Sequence, residues 1–282
     1  MKTVRMGVFA PIPVVMAALA LCAVPAARAQ HSPDQMQGPP KYLYLGNTEL
    51  KPGQNGEFAK LESEEIDALR AAKSTSHYFG MWSITGNTSR VLFFHGFDSY
   101  ADLQKTHDEV AGNATLSAML RKNNAAEGMM EASHHGSVYE FKKDLSLNPP
   151  MSLEKMRFAD ITLFKVRGGQ ERAFEHMVKV YLKAYASVPE ARFVTFQKQY
   201  GEGSGTTYLL ITPLESLAGV DAEVEAGKTF VKDAGPDLLA VLRGEGPSVI
   251  ESAESNLCAF GAKISYVPDK WLTDSPDYWG KK

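Results

Sequence analysis

The chain has 282 residues, of which 44% are hydrophobic and 22% charged, with 33 acidic side chains against 30 basic ones. Its length predicts one large domain or two of ordinary size. A mildly acidic chain is a poor candidate for binding nucleic acid or anionic lipid, so neither is an expected partner.

Residues 1–29 have the pattern of a secretory signal peptide. Lys2 and Arg5 precede an apolar run, which ends in the small-residue motif Ala-Arg-Ala at 27–29. Prolines interrupt the run and no second apolar stretch follows it, which disfavours a membrane anchor. We therefore expect an exported protein, periplasmic or extracellular, with no membrane span after cleavage.

Cleavage after Ala29 would change the charge and the cysteine content. The mature chain would have 253 residues with 27 basic against 33 acidic side chains, a net charge of −6. Cys22 would be removed, and lipidation there is disfavoured because Leu21 stands where a small residue is needed. Only Cys258 remains, so the expected fold has no intrachain disulfide and depends on a packed core.

The first half of the mature chain predicts a regular succession of elements. A stretch rich in aromatic and β-branched residues at 41–50 predicts a strand, and a glycine turn leads into a helix. The helix has a thin apolar stripe, and its acidic stretch at 62–67 is expected to face solvent. Two strands flank the turn at 85–89, Asp98-Ser99 resembles a helix cap, and a last strand covers 137–141. The stripe consists of Phe58, Leu61, Ile66 and Leu69.

The second half repeats this succession. A strand at 158–166 leads through a glycine turn into a helix with a stronger apolar stripe. Two strands flank the turn at 201–205, Glu215-Ser216 resembles a helix cap, and the last strand covers 257–261. The stripe consists of Phe174, Met177, Val178, Tyr181, Leu182 and Tyr185.

The two halves align as an internal duplication. Gly53-Gln54 pairs with Gly169-Gln170 at an offset of 116, and the later elements keep their order with small shifts. The predicted division is a signal peptide, a flexible N-terminus, two repeats separated by a proline-containing linker, and a tail that wraps the surface. Their bounds are 1–29, 30–40, 41–147, 148–156, 157–268 and 269–282.

The order of elements in each repeat predicts the fold. A β-α-β-β-α-β order forms a four-stranded antiparallel sheet with both helices on one face, the ferredoxin-like arrangement. The other face of such a sheet would be bare and apolar, and a second copy in the same chain can cover it. We therefore predict an α+β protein in which two tandem ferredoxin-like units pack sheet to sheet as a pseudo-dimeric α/β barrel.

The motifs "FKVRGGQERAFEHMVK" at 164–179, "FDSYADL" at 97–103 and "VYEFKKDLS" at 138–146 resemble the dimeric α/β-barrel superfamily. Within it, they are similar to the NIPSNAP and antibiotic-biosynthesis-monooxygenase groups. The resemblance covers nearly all of the mature chain and implies a covalent version of the usual dimer. The superfamily includes monooxygenases, haem-degrading and haem-binding enzymes, isomerases and proteins without assigned activity, so the resemblance implies a fold and no single function.

In such a barrel we expect the site between the sheets, on the faces turned away from the helices. Side chains along the second strand point alternately to two faces of the sheet. One face mixes polar and apolar residues more than the other, and we assign that face to the interior. The residues 116 positions later, in the second repeat, receive the same assignment. Aromatic side chains suit an apolar cavity and suit ordinary packing equally well. The predicted pocket residues are Tyr44, His77, Phe79, Trp82, His95, Thr195 and Gln197.

Several histidines could carry chemistry. His95 ends the third strand, where it could titrate near neutrality or bind metal or haem iron, although capping of a turn explains it as well. His77 is equally explained by a hydrogen bond in the core. His134 and His135 are adjacent on a strand and should point to opposite faces, so no metal site is expected there. The residues single out no catalytic group.

Three functions stay open. The first is an exported protein that binds a small apolar or aromatic molecule in the barrel cavity, with or without catalysis of the cofactor-independent monooxygenase type. The second is a haem protein with His77 or His95 as axial ligand; otherwise no cofactor is expected. The third is a non-catalytic interaction or structural module whose barrel is filled by side chains. The expected molecule is a monomer with a pseudo-dimeric core, and the sequence leaves further oligomerisation open.

Overall fold

A computed structural model describes residues 38–149, 153–185 and 191–280. The predicted signal peptide at 1–29 lies outside these residues and stays a prediction. None of the described helices is both long and apolar enough to cross a membrane. The first repeat consists of β1 (Tyr42–Leu50), α1 (Asn55–Ala71), β2 (Phe79–Ser83), β3 (Arg90–Phe97), α2 (Tyr100–Gly112), α3 (Ala114–Met130) and β4 (Glu131–Phe141).

The second repeat follows with the same order of strands. One long helix takes the place of α2 and α3, and two short helices end the described chain. The elements are β5 (Phe158–Val166), α4 (Glu171–Tyr185), β6 (Val194–Gly201), β7 (Thr206–Leu214), α5 (Ala218–Val249), β8 (Ile250–Phe260), α6 (Asp269–Asp274) and α7 (Pro276–Trp279).

The described strands close into one antiparallel barrel in the order β1-β3-β2-β8-β5-β7-β6-β4. Each repeat contributes its strands in the order fourth, first, third, second, as in a ferredoxin-like unit. The repeats join at two seams: Met81 of β2 pairs with Phe260 of β8, and Glu140 of β4 pairs with Gln197 of β6. The predicted fold of two ferredoxin-like units in a pseudo-dimeric barrel is confirmed.

Alternate residues of each strand divide between the barrel interior and the outer face that the helices cover. In β1, Leu43 and Leu45 point inward, whereas Leu50 packs outward against Phe58 of α1. The interior is packed with apolar side chains from both repeats, so each repeat buries the face that the other leaves bare. They include Leu43, Leu45, Phe79, Met81, Leu92, Phe94, Tyr139, Ile161, Phe196, Leu209, Cys258 and Phe260.

The C-terminal segment packs into the same apolar core. Trp271 of α6 stacks on Phe79 with ring centroids 5.5 Å apart, and Trp279 of α7 lies edge-on to Phe260 at 6.1 Å. The Trp279 indole N–H donates to the carbonyl of Glu154, in the segment between the repeats, at 2.8 Å. The predicted surface-wrapping tail is therefore wrong, because its indole rings bury a large apolar area in the core.

The turns before the first helices support the alignment of the repeats. Gly53 and Gly169 have φ angles of +80° and +81°, which glycine adopts without strain. The predicted cap at Ser99 is confirmed, since its side chain accepts a hydrogen bond from the Asp102 N–H at 3.1 Å. The counterpart at Ser216 does not cap a helix, because α5 begins two residues later without a side-chain cap.

Candidate functional site

Three of the residues predicted to line an interior pocket lie in different surroundings. Phe79 faces the interior, where it belongs to the apolar core. Trp82 lies on the opposite face of β2 and packs under the helices of repeat 1. His77 precedes β2 and stacks on the ring of Tyr266, with 4.9 Å between the centroids. These three side chains therefore do not form one pocket.

Thr195 and Gln197 also point away from the interior. The Thr195 hydroxyl donates to the carbonyl of Leu145 at 2.7 Å, and the Gln197 amide donates to the hydroxyl of Tyr208 at 3.3 Å. Leu145 and Tyr208 belong to the apolar cluster between the second sheet and its helices. The prediction that Thr195 and Gln197 face the interior is wrong.

A register slip between the repeats explains this error. The interior positions of β6 are Val194 and Phe196, whereas those of β2 are Phe79 and Met81. The offset of 116 that aligns β1 with β5 is therefore wrong by one residue at β2 and β6. Because side chains alternate along a strand, a slip of one residue exchanges the two faces.

The remaining two candidates, Tyr44 and His95, meet in a cavity on the helix-covered face of repeat 1. The cavity lies between the sheet, α1 and α3 and has a volume of about 260 Å³. We call it the carboxylate cavity, and none of the residues that the structure describes in its lining is lysine or arginine. Its lining residues are Tyr44, Gly46, Thr48, Phe58, Glu62, Glu65, Ser76, Tyr78, Phe93, His95, Glu127, Glu131 and His134.

Three carboxyl groups from two helices face this cavity. Glu62 and Glu65 lie one turn apart on α1, and Glu127 lies on α3; Glu62 and Glu127 are only 7% and 8% exposed. Burial, reinforced by neighbouring carboxylates, raises the pKa of Glu65 and of Glu127 to about 7. The same causes raise the pKa of Glu62 well above its usual value. The cavity thus holds groups that exchange protons near neutral pH.

The two most buried carboxyl groups differ in their hydrogen bonds. The Tyr78 hydroxyl donates to Glu62 Oε2 at 3.2 Å. Glu127 Oε1 is buried and has no hydrogen-bond partner among the described residues. A buried acceptor without a partner is unfavourable, so a donor that enters the cavity would gain a strong hydrogen bond there.

Two histidines complete the polar part of the cavity. His134 Nδ1 lies 2.8 Å from Thr48 Oγ1 and 3.7 Å from Glu131 Oε1. His95 Nε2 lies 3.3 Å from the hydroxyl of Ser76. Burial, followed by the proximity of His107, lowers the pKa of His95, so its ring is neutral at pH 7.

The histidine pair at 134 and 135 behaves as the sequence predicts. His134 faces the cavity, whereas His135 Nδ1 lies 2.9 Å from Glu202 Oε2 at the surface. Among the described residues, no group of three or more His, Cys, Asp or Glu side chains is arranged to hold a metal ion. The two histidines therefore point to different faces of β4, as the alternation of side chains along a strand predicts.

The acidic composition of 62–67 predicts a stretch that faces solvent, and this prediction is wrong for Glu62, which is buried. The buried residues of α1 are Phe58, Glu62, Ile66 and Leu69, so a glutamate occupies the middle of the apolar stripe. Its spacing of four residues from both Phe58 and Ile66 was the available signal. The sequence around Glu127 has no comparable signal, because the carboxyl groups beside it, Glu62 and Glu65, lie on another helix.

The described part of the second repeat lacks the carboxyl cluster. At the offset of 116, Glu62 corresponds to Val178 and Glu65 to Tyr181. Val178 is buried with Phe174 in the apolar cluster of repeat 2, and Tyr181 stacks on Phe230 with centroids 5.3 Å apart. Only the first repeat therefore places these acidic groups between its sheet and helices.

A groove of about 650 Å³ lies between α4 and α5 in the second repeat. Tyr181, Tyr185 and Phe230 form one stack along it, and Val224 and Val231 are exposed beside them. Among the described residues of its lining, Lys228 is the single charged one. The groove lacks the converging polar groups that orient a substrate for reaction.

The carboxylate cavity does not fit a haem group. Its volume of about 260 Å³ is small, and its carboxyl groups would face the two propionates that a haem carries. His95 Nε2 is engaged with Ser76, and His77 is not among the lining residues. We therefore derive no step of a mechanism through haem.

The fold is shared with solved structures of low sequence identity. An anthrone oxidase-like protein is 16% identical, covers 82% of this chain and 93% of its own, and has a TM-score of 0.51. A candidate monooxygenase from Fusobacterium nucleatum is 8% identical, with coverages of 78% and 91% and a TM-score of 0.50. A chlorite dismutase from Candidatus Nitrospira defluvii is 10% identical, with coverages of 83% and 94% and a TM-score of 0.44. No protein-family model and no curated protein match the sequence.

At these identities the likeness concerns the fold. The chain has the fold of the dimeric α/β-barrel superfamily, with both units of the usual pair in one polypeptide. The predicted fold is confirmed. The fold hosts several chemistries, so the function has to be argued from the carboxylate cavity.

Proposed function

We propose that the protein binds a small aromatic or apolar molecule in the carboxylate cavity and accepts a proton from it. The observation that carries this proposal is the set of buried carboxyl groups beside aromatic walls. Phe58, Phe93 and Tyr44 offer apolar surface to a ring, and Glu65 and Glu127 offer acceptors with a pKa of about 7. A concave apolar site with a few converging polar groups is the usual form of a ligand site.

The pKa values suit the carboxyl groups to general base catalysis. Burial raises the pKa of Glu65 and of Glu127 to about 7, close to neutral pH. A base is most effective when its pKa lies near the working pH, because it is then both available and strong enough. An ordinary surface glutamate would be fully ionised and a much weaker base.

The reaction we propose is a cofactor-independent oxygenation. A carboxylate removes a proton from an activated CH₂ group, and the carbanion then reacts with O₂. The balanced outcome is a carbonyl group and water from one CH₂ group and one O₂, so no outside reductant is needed. This choice is supported by the fold shared with an anthrone oxidase-like protein and a candidate monooxygenase, and by the resemblance to the antibiotic-biosynthesis monooxygenases.

Oxygen uptake with anthrone as a probe tests the proposal, because anthrone has an acidic CH₂ group. We expect the mature chain to accelerate O₂ consumption above the spontaneous rate. Glu127→Gln and Glu65→Gln should lower this acceleration about 100-fold or more. Glu64→Gln is the matched control, since Glu64 is exposed on the same helix. Equal acceleration by all four proteins would contradict the proposed role of the carboxyl groups.

The packed barrel interior favours, by itself, the alternative of a non-catalytic module. That alternative assumes that side chains occupy the space where a ligand would bind, and the interior is indeed apolar and packed. The carboxylate cavity lies on the other face of the sheet, and packing of the interior does not affect it. We therefore prefer a ligand-binding function at the helix-covered face.

We infer that the protein acts outside the cytoplasm as a monomer. The inference rests on the signal-peptide pattern at 1–29 and on the two repeats, which together close the barrel within one chain. The N-terminal sequence of the protein recovered from the exported fraction should begin at Gln30. Recovery of the full-length chain from the cytoplasm alone would contradict export.

A further inference from the structure

We propose that the molecule bound in the carboxylate cavity carries a protonated amine, which binds within the cluster of Glu62, Glu65 and Glu127, and that the carboxyl group not bonded to the ammonium remains the base. This inference rests on the proposed function, since it concerns the same cavity, and it adds the charge of the ligand. The predicted class is a small amine with an aromatic or apolar body.

The charges of the cavity are unbalanced. The described residues that line it include four glutamates and no lysine or arginine. Neither histidine is placed to pair with the three helix carboxyls, because burial lowers the pKa of His95 and His134 Nδ1 contacts Thr48 and Glu131 instead. Like charges in a buried site repel each other, and a cation that enters with the ligand removes this repulsion.

An unpaired acceptor marks the place of the cation. Glu127 is 8% exposed, lines the cavity, and has a buried Oε1 without a hydrogen-bond partner among the described residues. Glu62 uses Oε2 to accept a hydrogen bond from Tyr78, and no lining cation pairs with it. A primary ammonium has three N–H donors, so it can bond to carboxyl groups from both helices at once.

The surroundings favour an organic cation over a metal ion. Among the described side chains, no group of His, Cys, Asp and Glu is arranged to hold a metal. Aromatic rings line the rest of the cavity, and a cation next to such rings gains a further attraction. The rings belong to Tyr44, Phe58, Tyr78 and Phe93.

The inference predicts that amine binding releases protons. Below pH 7 Glu65 and Glu127 are largely protonated, and an ammonium favours their ionised forms. The affinity for an amine should therefore rise between pH 6 and pH 8, whereas that for a neutral analogue should change little. The titratable groups that face these carboxyls from every surrounding element are Tyr44, Glu62, Glu65, Tyr78, His95, Glu127, Glu131 and His134.

Three probes with the same ring and similar chains test the inference: 2-phenylethylamine, 2-phenylethanol and 3-phenylpropionate. Dissociation constants come from NMR titrations of the mature chain, in which the amide of Gly46 reports on the carboxylate cavity. The amide of Gly227 reports on the groove between α4 and α5. At pH 8 we expect the amine to bind at least about tenfold more tightly than the alcohol, as for a charge-assisted hydrogen bond.

Glutamine variants test whether the preference for the amine over the alcohol depends on the carboxyl groups. Glu127→Gln and Glu62→Gln should bring the amine and the alcohol to within about threefold of each other, and exposed Glu64→Gln should keep the full preference. If Glu62→Gln does not fold, Glu65→Gln takes its place. Calorimetry in two buffers with different ionisation enthalpies should show proton release on amine binding at pH 7 in the unchanged chain.

The outcomes separate this inference from the proposed function. Equal or tighter binding of the alcohol at Gly46 overturns the inference and leaves the cavity as the ligand site. Retention of the amine preference in Glu127→Gln and in the second carboxyl variant also overturns it. If no probe shifts Gly46, or all three shift Gly227 alone, both the inference and the proposed function fail.

Discussion

Glu62 occupies a helix position where an apolar side chain would stabilise the fold better. It lies four residues from both Phe58 and Ile66 in the buried stripe of α1, and its aligned residue in the second repeat is the buried Val178. Burial of a carboxyl group without full pairing is unfavourable. Such a group lowers stability, and proteins retain such residues mainly where function needs them.

The pH dependence of stability follows from the same residues. The pKa of Glu127 is about 7 in the folded chain, whereas an unperturbed glutamate, as in the unfolded chain, has a pKa of 4.5. The folded state therefore binds this proton more tightly than the unfolded state, and the free energy of unfolding falls as pH rises from about 4.5 to about 7. Glu127→Gln should raise the free energy of unfolding at pH 8 by about 1–3 kcal/mol, and by less than half of that at pH 5.

Urea denaturation at the two pH values measures this effect. Glu64→Gln is the control, because Glu64 lies on α1 and is exposed to solvent. We expect its free energy of unfolding to stay within about 0.5 kcal/mol of the unchanged chain at both pH values. A Glu127→Gln chain that is less stable at pH 8 would show that the carboxylate is well paired after all.

At the scale of elements, α6 and α7 belong to the core and not to the surface. Trp279 is 3% exposed, contacts Phe260, and donates a hydrogen bond to the carbonyl of Glu154. Trp279→Ala should lower the free energy of unfolding by about 3–5 kcal/mol, because it removes a large buried ring and leaves a cavity. Met129→Ala is the control, since Met129 is 75% exposed and should change stability by less than about 0.5 kcal/mol. A loss below 1 kcal/mol for Trp279→Ala would mean that the tail packs only loosely.

The order of the elements could be predicted from the sequence, and the contacts between them could not. Alternation, the glycine turns and the apolar stripes are local signals, and they predicted the ferredoxin-like repeats correctly. The face of β6 depends on pairing with β7 and β4, so an alignment error of one residue misplaced Thr195 and Gln197. The burial of Trp271 and Trp279 depends on residues far away in the chain, which no local pattern reveals.

The residues of the carboxylate cavity also divide into those with a local sequence signal and those that only long-range packing brings there. Tyr44 and His95 were named from their residue types, and both line the carboxylate cavity, although their role in binding stays a prediction. Glu62 carried a local signal in its spacing, which the acidic composition of its neighbours concealed. Glu127 enters the cavity from α3, so only the packing of α3 on α1 brings it there.

At the scale of the whole molecule, the barrel depends on two seams between the repeats. The seam between β2 and β8 is short, since 81–83 pair with 258–260, whereas β5 and β7 pair along their full lengths from 158–166 and 206–214. Local opening costs less free energy where fewer backbone hydrogen bonds are broken. We therefore expect amide hydrogen exchange at the β2–β8 seam to be faster than at the centre of the β5–β7 pair. Slower exchange at the seam would show that the barrel opens elsewhere first.

The two repeats thus share a fold and differ in what lies between sheet and helices. The first repeat holds the carboxylate cavity, and the second fills the matching space with an apolar cluster that includes Phe174 and Val178. A duplicated fold allows one copy to retain stability while the other accommodates buried charge.

A crystal structure of the mature chain with 2-phenylethylamine tests the central claim most directly. The account predicts density for the probe between α1, α3 and the sheet of repeat 1, with its nitrogen within hydrogen-bond distance of Glu62 or Glu127. Density within the barrel interior, or only in the groove between α4 and α5, would contradict it.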